Sequence, residues 1–308
     1  MTEALERAAA IIGETVGDRL RTGFTMAPLT TFRIGGPAAL YLEPEDDGDL
    51  EAVGRALVET RIPVATVGKG SNVLVPDEGF PGLVIRLGRG YRWAARDGDR
   101  LIAGGAMPLP ALSGVALRHG LEGLEFGVAI PATLGGAVRM NAGAHGREMA
   151  DALETIDLFV LSEGQRVAVA ADAAGFSYRR SRLPRDGVVV AATVLLAPGD
   201  PARVRAAMEA ARDWRRRTQP LAEPNCGSVF KNPPGDHAAR LIDAAGLKGT
   251  RIGGAHVSEK HANFIVATPG ATAHDVVTLI DLVRTRVRDD AGIDLEPEVR
   301  LLEPAPDG

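Results

Sequence analysis

Two glycine-dense segments constrain this chain more than any other feature. One is the short loop Gly68-Lys69-Gly70-Ser71-Asn72, which follows an apolar run from Ile62 to Val67. The other runs from Gly120 to Gly146 and combines glycines and small residues with few charges. Glycine lets a backbone adopt left-handed angles and come close to a neighbour. Consecutive free amides in a tight loop also converge on one point and make an anion site. For the first loop, a phosphate cradle and a plain turn both fit, and its spacing is neither G-x-G-x-x-G nor a Walker A loop. For the second, a tightly packed inter-strand loop and a backbone wall laid against a flat or phosphorylated cofactor both fit. Two such segments in one domain, flanked by short strands, favour a nucleotide cofactor.

The remaining pattern predicts the fold class. Helical spacing of apolar residues predicts helices over Glu3 to Leu20, Asp49 to Thr60, Leu109 to His119, Ala202 to Arg217, His237 to Ala245 and Ala273 to Ala291. A loop is expected between the first helix and a short strand at Leu40 to Leu42. Strands are expected at Ile62–Val67, Leu83–Leu87, Tyr91–Arg96, Arg100–Ala103, Thr155–Leu161, Arg166–Ala170, Val188–Leu196, Ile252–Val257 and Asn263–Val266. Asp97-Gly98 is a hairpin turn signal. The order is α+β, without regular βαβ alternation. At 308 residues the chain exceeds one ordinary core. Pro198-Gly199-Asp200-Pro201 is the clearest boundary, and the expected units are 1–66, 67–198 and 199–308.

Composition excludes some functions. A net charge of −5, from 40 acidic and 35 basic residues, argues against a nucleic-acid partner. No apolar stretch reaches the ~18 residues a membrane span needs, and the first residues lack a basic stretch followed by an apolar run, so no signal peptide is expected. The lone cysteine, Cys226, allows no internal disulfide and suits a reducing, cytoplasmic setting. With no resolving partner, it reads as a packing residue. The histidines are scattered, so no metal site is expected. Oligomeric state is not legible.

Eight segments in order resemble the UDP-N-acetylenolpyruvoylglucosamine reductases. They are Thr31–Pro37, Gly68–Val75, Gly123–Gly146, Ser177–Ser181, Gly227–Pro233, Ala245–Gly249, Ser258–Phe264 and Leu295–Arg300, and they span nearly the whole chain. The resemblance implies a two-lobed FAD-binding fold of the p-cresol methylhydroxylase type, followed by a C-terminal α+β substrate domain. It implies FAD as cofactor, NADPH as hydride donor and UDP-N-acetylglucosamine enolpyruvate as the substrate reduced to UDP-N-acetylmuramate, for cell-wall precursor synthesis.

Carried onto this sequence, the resemblance implies that Ser228 donates the proton. Arg179 faces the developing charge, and Glu298 assists stabilisation or proton delivery. FAD would lie against Gly68, Lys69, Gly70, Ser71, Asn72 and Val73, and against Gly127, Ile130, Pro131, Thr133, Gly135, Gly136, Asn141, Ala142 and Gly143. Tyr178, Arg217, Lys231, Asn232 and Arg300 would contact substrate, with Lys231 near enough to help activate Ser228. Without the resemblance, Ser228 reads as a loop serine, Glu298 as a surface acid and Arg179 as a solvated charge. Arg212, Arg215, Arg216 and Arg217 read first as a solvated face that suits a helix C-terminus, and as the sharper alternative one or two of them reach the substrate diphosphate.

Some positions depart from the common pattern. Thr133 stands where serine is frequent, His145 where tyrosine is frequent, and Ala267 where asparagine is frequent. No tyrosine lies between Ser181 and Ser228, so the chain resembles the shorter class that lacks a closing tyrosine loop. Two other readings share parts of the pattern. An oxidase on the same fold would keep the FAD loops but is not expected to carry Gly227–Pro233 and Glu298. A nucleotide sensor would have lost Ser228, Arg179 or Glu298.

Overall fold

A computed structural model describes residues 2–304. Helix α1 (Glu3–Val16) is capped by the Thr2 hydroxyl and stops at Gly17, whose φ is +57°. Its buried face is Leu5, Ala8, Ile11, Ile12 and Val16. Strand β1 (Arg21–Thr25) follows and pairs antiparallel with β2 (Pro37–Leu42). The sequence predicts a loop at β1. The strand is almost wholly exposed, so no apolar alternation marks it.

Helix α2 (Asp47–Thr60), capped by Asp46, leads to β3 (Val64–Thr66). After β4 (Val73–Leu74), β5 (Phe80–Ile85) enters between β2 and β3, parallel to both. The first lobe therefore contains one βαβ unit and reaches residue 85, beyond the expected limit at 66.

The second sheet is antiparallel. It is built from β6 (Ala94–Asp97), β7 (Arg100–Gly104), β8 (Leu153–Val160), β9 (Gln165–Ala170) and β10 (Gly187–Leu195), in the order β9-β8-β10-β7-β6. Strand β10 is a continuous apolar run because both its faces are covered. Val188 and Val190 enter a core with α1, α2, β2 and β5, together with Phe159 and Leu161. Val189, Ala192 and Val194 face the opposite core with α3 (Leu109–Arg118) and α4 (Leu134–Arg139). Helices α1 and α2 thus share one core with both sheets. At Gly54 a Cβ would collide with the Leu161 carbonyl, so helix and sheet meet backbone to backbone. Asp47 of α2 joins the lobes as well, pairing with Arg166 at 2.9 Å and accepting the Tyr91 hydroxyl at 2.8 Å.

Helix α5 (Pro201–Thr218) packs Val204, Met208 and Ala211 against Val128, with Leu117 and Ala129 alongside. By packing it belongs with the second lobe, although the sequence boundary at 198 places it in the third unit.

The last unit contains α6 (Ala238–Ala244), β11 (Arg251–Ile252), β12 (Ala255–Val257), β13 (Ile265–Ala267), α7 (Ala273–Ala291) and β14 (Arg300–Leu301). The single strand expected at Ile252–Val257 is a tight hairpin. Gly253 turns it with φ +50°, and Asp275 of α7 accepts the Gly254 amide at 3.0 Å.

Several attachments bind this unit to the rest. Phe32, Ile34 and Leu74 of the first lobe insert into its core. Strand β14 pairs parallel with β4, Arg300 opposite Val73. The Asp77 carboxylate accepts the first two amides of α7, from Ala273 at 2.8 Å and His274 at 3.1 Å. Among the described residues no helix is long and apolar enough to cross a membrane.

Candidate active site

A cleft of about 760 Å³ opens between the lobes, within the ~300–1,000 Å³ usual for ligand pockets. Gly68 and Lys69 form one wall, and Pro131, Thr133, Gly135 and Gly136 form the other. Among the described residues, none of the amides of Gly68 to Asn72 donates a hydrogen bond. Gly70 has φ +66°, and a Cβ there would collide with the Leu29 carbonyl; its own carbonyl accepts the Thr31 amide at 3.0 Å. The loop is therefore held open with its donors unused. A Cβ on Gly68 would collide with the Thr133 hydroxyl, so the two walls touch there.

Lys69, Arg86, Arg89, Arg92, Arg139 and Arg185 also line the cleft, with Glu43 as the single carboxylate. Unpaired amides, side-chain-free backbone and an excess of cations fit a dinucleotide diphosphate. Arg139 is bound into the wall. It donates to the carbonyls of Leu183, Pro184 and Gly187, and burial lowers its pKa. The arginines at 86, 89, 92, 139 and 185 carry no sequence signal, because isolated arginines look alike whether solvated or in a cleft.

Other residues expected at the cofactor lie in packed positions. Gly127 is buried, and a Cβ there would stand 2.7 Å from the Ser113 hydroxyl and 3.0 Å from Leu109. Ile130 and Ala142 pack partly against the second lobe's core, and Val73 lies in β4. Ser71 faces a second cavity of about 310 Å³. Asn141 is fully buried: its Nδ2 donates to the Ser177 carbonyl at 3.1 Å, and its Oδ1 accepts the Ala150 amide at 3.0 Å.

That bond holds the turn at 177–180, which carries Arg179. Arg179 has φ +55°, an uncommon angle for a side-chain-bearing residue. Its Nη2 donates to the Gly143 carbonyl at 2.7 Å, and its guanidinium lies 4.9 Å from the ring of exposed Tyr178. Its Nε pairs with Glu298 Oε1 at 3.0 Å, with both side chains less than one-fifth exposed. Burial raises the Glu298 pKa above its ordinary value, with Arg179, Lys231 and Arg300 opposing that rise.

The Glu298 amide donates to the Val229 carbonyl at 2.7 Å, which puts it beside Ser228. Buried Asn263 bonds both backbone groups of Phe230, at 2.9 and 2.8 Å, and its carbonyl accepts the Val229 amide at 2.9 Å. Asn263 lies inside one of the resembling segments, yet sequence reasoning gave it no role. Among the described residues nothing hydrogen-bonds the Ser228 hydroxyl.

Lys231 is directed elsewhere, to Glu296 at 2.6 Å, and does not bond Ser228 as the sequence suggested. Asn232 is exposed and accepts the Ala238 amide at the start of α6. Arg300 is exposed, with its amide on the Asn72 carbonyl at 3.0 Å. Arg217 is exposed and lines neither cavity. Arg215 of the same helix lines the second cavity, with Arg33 (φ +59°), Ser71 and Gly227, and burial lowers its pKa. Cys226 is buried and its thiol is pushed up by desolvation. Among the described residues no cluster of His, Cys, Asp or Glu could hold a metal.

The model for the C-terminal domain of UDP-N-acetylenolpyruvoylglucosamine reductase matches residues 219–302, and an FAD-binding domain model matches residues 38–170. The chain is 48% identical to the UDP-N-acetylenolpyruvoylglucosamine reductase of Anaeromyxobacter sp. (strain Fw109-5), over 90% of this chain and 86% of that protein. It is 45% identical to UDP-N-acetylenolpyruvoylglucosamine reductase 2 of Symbiobacterium thermophilum, over 98% and 97%. The crystal structure of the UDP-N-acetylenolpyruvylglucosamine reductase from Thermus caldophilus superposes with a TM-score of 0.78 at 37% identity, covering 92% of this chain and 97% of that one.

Proposed function

Because the chain belongs to the UDP-N-acetylenolpyruvoylglucosamine reductase family, we propose that Ser228, Arg179 and Glu298 divide its chemistry among them. The reaction is the FAD-dependent reduction of UDP-N-acetylglucosamine enolpyruvate in peptidoglycan synthesis, with NADPH as the hydride donor. The two lobes have the FAD-binding fold of the p-cresol methylhydroxylase type. We assign residues to 85, and the second sheet with α5, to FAD binding, and residues from 219 onward to substrate. The core clusters and the extent of the C-terminal family match support that division.

The open amides of Gly68 to Asn72 would take the cofactor diphosphate, with Lys69 beside them. Held there and reduced by NADPH, FAD would supply hydride for the methylene carbon of the enolpyruvyl group. Negative charge then builds on the adjacent carbon and its carboxylate. In a water-poor site that charge needs a fixed cation, and Arg179 is always protonated. Ser228 gives its proton to that carbon, and Glu298, with its raised pKa, holds or returns a proton beside it. For the substrate diphosphate we favour Arg215 over Arg217, since it lines a cavity next to Gly227. We place the reaction in the cytoplasm; the buried free thiol of Cys226 is consistent with a reducing compartment.

The observation that carries this reading is the shielded Arg179–Glu298 pair, bonded through Val229 to the segment that carries Ser228. The test is an anaerobic flavin assay. NADPH should bleach the bound flavin, and UDP-N-acetylglucosamine enolpyruvate should restore its oxidised spectrum with UDP-N-acetylmuramate formed. A flavin that stays reduced until air is admitted would sink the assignment in favour of an oxidase.

A further inference from the structure

Asn72 ends the loop whose amides are open, yet its own side chain faces away from that task. Its Nδ2 donates to the Glu298 carbonyl at 3.1 Å, and its carbonyl accepts the Arg300 amide at 3.0 Å. Asn72 therefore brackets Val299 and pins the backbone on both sides of it. The Glu298 amide is already bonded to Val229, the neighbour of Ser228. The Glu298 peptide is thus held from two directions: by the segment that carries Ser228 and by the loop suited to a diphosphate. The Asn72 bond to the Glu298 carbonyl uses one of its two Nδ2 hydrogens, and Oδ1, an acceptor, offers nothing to a phosphate.

Resting on the reaction proposed above, we infer that Asn72 is a positioning residue, which transmits the setting of the cofactor loop to Glu298 and keeps its carboxylate against Arg179. Small displacements matter at such a site, because a misplacement of about 1 Å can cost on the order of 100-fold in rate. The charged groups facing Glu298 are Arg179, Lys231 and Arg300, and the Cys226 thiol lies within its field. Arg179 is the one in direct contact. A Glu298 that drifts from Arg179 loses its nearest counter-cation. Its ionised form is then less favoured, and it holds its proton to higher pH.

The test uses the full-length, FAD-loaded protein and the variants Asn72→Ala and Asn72→Asp. The aspartate keeps size and shape while it turns attraction to the Glu298 carbonyl into repulsion, so it serves if the alanine variant folds poorly. Three quantities are read: FAD affinity by flavin fluorescence, the rate of flavin reduction by NADPH, and the rate of reoxidation by UDP-N-acetylglucosamine enolpyruvate as a function of pH. Reoxidation should slow about tenfold, the loss expected when one buried hydrogen bond is removed, and its Glu298-dependent limb should move to higher pH. The added carboxylate of Asn72→Asp should weaken FAD binding at the anion-binding loop, so both half-reactions are read with the flavin fully bound, and reduction by NADPH should slow less than reoxidation.

Reoxidation that recovers fully once FAD is saturating would make Asn72 a cofactor contact and overturn the inference. An equal slowing of both half-reactions without a moved limb would show a general structural role and overturn it too, as would unchanged kinetics. A wild-type protein inert toward that substrate would overturn the functional reading and this inference with it. An active wild type beside variants that show any of the three contrary results overturns this inference alone.

Discussion

The loop at 68–72 and the stretch at 127–146 are both rich in glycine, yet their backbone donors meet different fates. In the first, no amide has an acceptor among the described residues, and Gly68 and Lys69 line the cleft. In the second, the amides are taken up by the lobe itself. Leu134 donates to Met107 at 2.8 Å, Gly135 to Gly105 at 2.9 Å, Ala142 to Ala137 at 2.8 Å and Gly136 to the Thr133 hydroxyl at 3.3 Å. The glycines of the second stretch serve close approach. Gly127 admits Leu109 and Ser113, and Gly143 lies where a Cβ would be 2.5 Å from the Arg147 carbonyl. Glycine marks where a side chain cannot stand. Whether ligand or protein fills that place depends on which atoms accept the amide hydrogens.

The second stretch still bears on the Arg179–Glu298 pair, by another route. Asn141 and Gly143 hold the turn that bears Arg179, as Asn72 of the first loop holds Glu298. Each glycine-rich segment thus supplies an asparagine whose Nδ2 bonds a backbone carbonyl near one member of the ion pair.

The largest effect that could break the contrast is expected at Gly70. Gly70→Ala adds a Cβ at φ +66° and drives it into the Leu29 carbonyl. The strain and the collision together should weaken FAD binding by about 100-fold in a fluorescence titration. Retained affinity would show that the open amides are not the cofactor's anchor.

Gly127→Ala should do the opposite. Overpacking against Ser113 and Leu109 should cost about 1–3 kcal/mol in thermal or denaturant unfolding, with FAD affinity nearly unchanged. A loss of affinity larger than the loss of stability would place Gly127 at the cofactor after all.

Arg179→Gln sharpens the comparison from the side of the ion pair. Burial raises the Glu298 pKa and Arg179 opposes the rise, so removing the cation should push that pKa further up. The limb of the pH–rate profile that reports Glu298 should move to higher pH by about one unit or more, besides a large loss of rate. A limb that stays in place or moves down would mean that Arg179 does not set Glu298.

Lys69→Ala should give the smallest change. The side chain is exposed, so FAD affinity should drop only a few-fold, and the difference should shrink as salt is added. A large, salt-insensitive loss would assign the diphosphate contact to Lys69 and not to the backbone.

Much of the fold was legible locally. Helix α7 begins with Thr272 and Asp275 in a capping box, ends at Gly292 in the left-handed region, and spans Ala273–Ala291 as its apolar spacing predicts. The run at Val188–Leu196 announced a strand covered on both faces. β1 left no such trace, because an exposed strand needs no apolar pattern, and the hairpin at Gly253 was hidden in one apolar stretch. At the site, Ser228, Arg179 and Glu298 came from segments resembling a family, and composition alone would have passed over all three.

The sequence by itself determined every helix but α4, which lay hidden in a glycine-rich segment, together with most strands, the places where backbone must approach backbone, and the family. Those follow from periodicity, capping and glycine, which act over a few residues. Tertiary structure decided that α5 joins the second lobe, that Arg215 rather than Arg217 faces a cavity, and that Lys231 turns to Glu296. It also decided which glycine-rich segment keeps its amides free. Each of these depends on partners tens to hundreds of residues away, and no local pattern records how distant hydrogen-bond acceptors and cores are shared out.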